Sequence, residues 1–216
     1  MLIHGLTGDS GTWFELAPWI AEHGYTVTLV DQRGHGRSER SERYAPEDLA
    51  GDLVETLPRG LDLAIGHSLG GRSLMLAADR LSPKRAVYLE PGWVIPDGLR
   101  ITPPLRPDGS WMSVEELAVL LPGFSHDHLE QALRAVSSFD LTFLEAPTFP
   151  LATLLPPDEP AVPSLVVVAD PSEVVPPQLQ DRLQCAGYTV RVVPDGTHEL
   201  HILHLEATKR ALADWL

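Results

Sequence analysis

The chain has 216 residues, one cysteine and a formal net charge of −14. That length suits one domain, or one domain with an insertion, and is enough to bury a sizeable core. The negative balance argues against nucleic acid and anionic membranes as partners, since both need a positive footprint. Cys185 stands alone, so neither an intramolecular disulfide nor a cysteine-based metal site is expected. No stretch reaches the apolar length of a membrane span. The start, Met1-Leu2-Ile3-His4-Gly5, lacks a signal-peptide pattern, which predicts a cytoplasmic protein.

Met1 to Gly8 reads as a strand end running into a glycine-rich loop. Asp9 or Ser10 caps a helix from about Thr12 to His23, with Trp13, Leu16 and Ile20 on one face and Gly24 as its stop. Tyr25 to Val30 is the next strand, followed by the glycine-punctuated turn from Asp31 to Ser38. Pro46 opens a helix over 46–57 that carries Leu49, Leu53 and Leu57 on one side.

Then Leu61 to Ile65 forms a short apolar strand, and Leu69 to about Arg80 a helix striped by Leu74, Met75, Ala77, Ala78 and Leu81. Between them lies Gly66-His67-Ser68-Leu69-Gly70. A serine nucleophile needs this Gly-x-Ser-x-Gly spacing for a steric reason. Its backbone is strained so that the hydroxyl projects past the strand end, and side chains two residues either side would collide. The helix that begins at once aims its N–H groups at the serine, which makes the Leu69 N–H an oxyanion donor.

Ala86 to Leu89 is a further strand, ending at Glu90-Pro91-Gly92-Trp93. Residues 92–160 are proline-rich and lack a clear parallel strand. They hold a helix from Ser113 to Leu121, opened by a Ser113/Glu116 capping box, and another from His126 to about Glu145. From Pro107 to Pro160 acidic residues outnumber basic ones nine to one, as on a solvated surface or a rim that repels anions. His126 and His128 lack a third ligand nearby, so no metal is expected there. Ser164 to Ala169 and Tyr188 to Val193 are strands, with a helix about Gln178 to Ala186 between them. A last helix runs from about His201 to Leu216. Alternating strands and helices predict an α/β fold: a mostly parallel sheet of about six strands flanked by helices. Residues 1–91 and 161–216 form the core and 92–160 a helical cap insertion.

Three segments in this order, His4-Gly5, Asp31 to Ser38 and Gly66 to Gly71, resemble the α/β-hydrolase superfamily. The resemblance implies that Leu6, after the His-Gly pair, gives the second oxyanion N–H. It assigns the base to His198, in a Gly-x-His loop near the chain end, and leaves His4, His35 and His67 to shape turns and pocket. His201 and His204 follow His198 at intervals of three. A metal site there is conceivable, but these side chains are expected on the helix face away from Ser68, or lining its base. For the acid, Val174-Val175-Pro176 aligned on the family pattern puts Ser172 where an aspartate is usual. Two candidates remain: Asp170 after the late strand, and Glu90 one strand along from the nucleophile, which is slightly preferred. The superfamily also carries about two earlier strands. Either the start is misassigned or the form is truncated, and in the truncated case Tyr25–Val30 becomes a sheet edge, for which self-association as a homodimer is one cover.

The resulting expectation is a serine hydrolase for an ester, thioester or lactone of a small, fairly apolar substrate, without cofactor or metal. An acyl-transferring or cyclising enzyme, and a non-catalytic ligand-binding member, are the alternatives.

Overall fold

The computed structural model describes residues 1–145 and 152–216. The part of the proposed cap at 146–151 lies outside the described residues. Among the described residues six parallel strands form one sheet: β1 (Leu2–Ile3), β2 (Leu29–Val30), β3 (Ala64–His67), β4 (Ala86–Leu89), β5 (Ser164–Asp170) and β6 (Thr189–Pro194), in the order β2-β1-β3-β4-β5-β6. All pairings are parallel. β3 and β4 are wholly buried and β5 is buried over all but its last residue. Both faces of the central strands are therefore covered, which explains continuous apolar runs such as Leu165-Val166-Val167-Val168.

Helices cover both faces. α2 (Pro46–Thr56) and α3 (Leu69–Leu81) pack on one side with α7 (Pro177–Cys185). On the other lie α1 (Leu16–Glu22), α8 (Leu200–Leu203) and α9 (Leu205–Leu212). Each aliphatic side chain buried this way contributes roughly 1.5–3 kcal/mol. Among the described residues no helix is long and apolar enough to cross a membrane.

Several elements are shorter than the sequence predicts. The first helix begins as a 3-10 turn, Ser10–Trp13, capped by Asp9, and α1 starts only at Leu16. Strand Tyr25–Val30 contracts to Leu29–Val30, the outer edge of the sheet, and Leu61–Ile65 shifts to Ala64–His67. The C-terminal helix breaks at His204.

Between β4 and β5 lie α4 (Val114–Leu120), α5 (His126–Ser138) and α6 (Thr142–Glu145), with the Ser113/Glu116 capping box in place. The single helix expected from His126 to Glu145 is interrupted because Phe139 is extended, at φ −67° and ψ 138°. Asp140 is held from outside: its N–H donates to Gly34 O at 2.8 Å and its carboxylate accepts from Tyr44 Oη at 2.5 Å. Phe139 and Phe143 bury against Tyr44, Leu49 and Leu69, which seats this segment on the core beside the nucleophile helix. Arg72, on α3, donates to Gly92 O at 2.8 Å and Ala152 O at 3.0 Å, and so ties both segments to the nucleophile helix.

Candidate active site

The turn from β3 into α3 places Ser68. Its φ of 49° and ψ of −111° lie in a region that a non-glycine residue enters only under strain of roughly 1–3 kcal/mol. Three backbone bonds hold it there: Ser68 N–H to Leu89 O (3.1 Å), and Arg72 and Gly92 N–H to Ser68 O (3.2 and 3.1 Å). The flanking glycines are required by contact. A Cβ on Gly66 would stand 2.5 Å from Gly70 O, and one on Gly70 would stand 2.3 Å from Ile3 O. The reason at Gly70 thus differs from the sequence argument: the obstacle is the backbone of β1, not a side chain across the turn.

Ser68 Oγ lies 2.9 Å from His198 Nε2. His198 Nδ1 lies 3.4 Å from Glu90 Oε2. Glu90 is 1% exposed. Its Oε1 accepts from Ala169 N–H at 2.6 Å and its Oε2 from Ser172 Oγ at 3.1 Å. Glu90 also has positive φ, 40°, with its N–H bonded to Val167 O. Asp170, the other acid candidate, is exposed at the end of β5 and is not hydrogen-bonded to His198. The structure therefore brings Ser68, His198 and Glu90 together and leaves Asp170 outside.

Electrostatics fit this line. Burial alone would pull the His198 imidazolium down, but the Glu90 hydrogen bond and the charges of Glu199, Glu90 and Glu173 outweigh it and raise its pKa above the usual 6.5.

The Leu6 and Leu69 N–H groups both border the cleft, and neither donates to another described residue. Two histidines hold the Leu6 loop. Gln32 N–H donates to His4 Nε2 (3.1 Å), so His4 Nδ1–H donates to Gly5 O (2.7 Å). Thr7 N–H donates to His35 Nε2 (3.3 Å), so His35 Nδ1–H donates to Arg33 O (2.9 Å). These bonds fix both tautomers. His67 Nε2–H donates to His198 O at 2.9 Å and so supports the loop of the base. Burial pushes the His35 and His67 pKa values down to about 3, so these rings are neutral braces.

The cleft around Ser68 has a volume of about 680 Å³ and takes apolar walls from Ile95, Pro96, Leu99, Ile101 and Val174. A second cavity of about 570 Å³ lies beneath α4 and α5 and shares Gly5, Leu6, His67 and Glu199 with the first. Ser172, as a donor to the buried carboxylate, is the site residue whose role sequence reasoning missed. Its only signal was that it fell where the resemblance called for an acid.

A parallel α/β sheet with a serine on a strained strand-to-helix turn, faced by a histidine and a buried glutamate, defines a class in which nucleophile, acid and base follow strand ends in that chain order, here β3, β4 and β6. Residues 1–215 match the alpha/beta hydrolase family, and the chain belongs to it. Over 82 residues it is 39% identical to a 2-(acetamidomethylene)succinate hydrolase of Mesorhizobium japonicum, a match covering 36% of this chain and 29% of that protein. Over 104 residues it is 33% identical to a pimeloyl-[acyl-carrier protein] methyl ester esterase of Methylococcus capsulatus, covering 43% of this chain and 40% of that protein. The matches thus span well under half the length of these relatives. Among solved structures, an N-formylmaleamic acid deformylase from Pseudomonas putida S16 superposes with a TM-score of 0.78 at 22% identity, over 98% of this chain and 90% of that one. A thioesterase domain from the curacin biosynthetic pathway gives 0.73 at 21% identity, over 98% and 88%. These likenesses are of fold.

Proposed function

We propose that the protein is a serine hydrolase that cleaves an ester, thioester or lactone of a small, fairly apolar compound through an acyl-enzyme on Ser68. The observation that carries this reading is the 2.9 Å contact between Ser68 Oγ and His198 Nε2 beside two undirected N–H groups, Leu6 and Leu69. In this mechanism Ser68 Oγ attacks the carbonyl carbon while its proton passes to His198 Nε2. The carbonyl oxygen becomes an oxyanion between the Leu6 and Leu69 N–H groups. Collapse breaks the bond to the leaving group, which takes the proton from His198. Water then gives a proton to His198 as it attacks the acyl-enzyme, and collapse breaks the bond from the acyl carbon to Ser68 Oγ, which takes that proton back from His198 as the acid leaves. Glu90 orients the imidazole and stabilises its charged form.

The apolar walls favour an uncharged substrate body, and Glu173 and Glu199 at the rim disfavour an anion there. The names of the relatives, an ester hydrolase among them, support hydrolysis of an acyl bond. A second reading, acyl transfer or cyclisation, draws on the adjoining 570 Å³ cavity, which has room for an acceptor or a folded-back chain. A panel of esters and thioesters of increasing acyl length, with product analysis, tests both. The hydrolase reading expects free acid as the product and no turnover by Ser68→Ala. A cyclic or transferred product favours the second reading, and turnover by Ser68→Ala contradicts both.

A further inference from the structure

His201 is 2% exposed, yet neither ring nitrogen has a hydrogen-bond partner. A buried imidazole left in that state is costly and calls for an explanation, such as an ion or a water. Its surroundings narrow the choice. The His67 ring lies 4.5 Å away between centroids, and Glu199 Oε2 stands 3.9 Å from His67 Nε2. One ligand atom each from His67, Glu199 and His201 fall within 4.8 Å of one another.

We propose that His67, Glu199 and His201 form a binding site for a divalent transition metal of the zinc type. Two imidazole nitrogens and one carboxylate oxygen are the donor set that such borderline ions prefer, with a water as fourth ligand. Zinc sits about 2.0–2.2 Å from nitrogen and oxygen ligands, so the three atoms close in by roughly 1 Å on binding. Glu199, which is 34% exposed, has freedom to swing, and the cavity beneath α4 and α5 borders both His67 and Glu199 and gives an entry path.

Binding has one local consequence. His67 Nε2 exchanges its proton for the metal, the ring proton moves to Nδ1, and the bond to His198 O is given up. The metal therefore displaces a brace of the base-bearing loop. The site is not the one the sequence spacing suggests. His204 takes no part, and the third ligand comes from the residue before the nucleophile. His126, by contrast, pairs with Glu130 on the exposed face of α5, at 3.4 Å.

Isothermal titration of the chelator-treated protein with ZnCl2, and with CoCl2 followed by visible absorption, tests this. The expected result is one saturable equivalent, a tetrahedral Co2+ spectrum, and affinity weakened at least ~10-fold in both Glu199→Gln and His201→Gln. His126→Gln should bind as wild type. Should His201→Gln not fold, Glu199→Gln decides alone. Absence of a saturable equivalent means the pocket holds only water and overturns the proposal. So does binding that survives Glu199→Gln, or binding that His126→Gln removes.

Discussion

Ser172 Oγ donates to Glu90 Oε2 at 3.1 Å, from the loop position where the family resemblance called for the acid itself. The serine accepts in turn from Val175 N–H at 3.0 Å. The late loop thus supplies a support for the carboxylate on β4. Asp170, two residues earlier, is exposed.

Glu90 and Asp170 are accordingly expected to behave differently. Glu90→Gln should lower kcat/KM by ~10²–10⁴-fold, because an amide no longer stabilises the charged imidazole. Asp170→Asn should stay within about twofold, as for an exposed surface change. Ser172→Ala should fall between, acting through Glu90, with a lower kcat and an unchanged KM. Steady-state kinetics of the three variants check this ordering.

The pH profile follows from the raised pKa of His198. The base must be neutral to accept the Ser68 proton, so kcat/KM should fall on the acid side with a midpoint above 6.5. Removing the Glu90 charge takes away one cause of that rise, so the midpoint of any residual activity in Glu90→Gln should move to lower pH. A shift to higher pH would contradict the assignment.

Stability should also decline in acid. His35 and His67 have folded-state pKa values near 3, below the unfolded value of about 6.5. Between those limits the unfolded chain binds more protons, so stability falls as pH drops from 6.5 towards 3. Each group contributes up to ~1.4 kcal/mol per pH unit over that window. Urea midpoints measured at pH 7 and pH 5 should differ accordingly, the lower pH giving the lower midpoint.

Gly70→Ala is expected to destabilise the fold by at least ~2 kcal/mol, since its Cβ would meet the β1 backbone at 2.3 Å. Gly51→Ala, on α2 with open space around it, should instead be neutral or stabilising. Thermal melts of the pair separate the two cases.

What could be read from the sequence was what local sterics decide. Gly66, Ser68 and Gly70 stand close in sequence and must satisfy one sharp turn, so their spacing between an apolar strand and a helix shows the elbow. The parallel sheet likewise follows from continuous apolar strands such as β5, alternating with helices. The acid was legible only as a choice between Glu90 and Asp170 with a slight preference for Glu90, because what fixes it depends on Ala169 and Ser172, which lie 79 and 82 residues away. The break at Phe139 has the same origin: Tyr44, 96 residues from Asp140, holds the carboxylate that ends the helix. The burial of His201 beside His67 depends on how two strand ends meet, and its spacing from His198 showed none of this.

The central claim is that Ser68 is an activated nucleophile. Treating the folded protein with a fluorophosphonate and weighing it by mass spectrometry tests this directly. Wild type should gain a single covalent adduct on Ser68, and Ser68→Ala none. An unlabelled wild type, or a labelled Ser68→Ala, would contradict it.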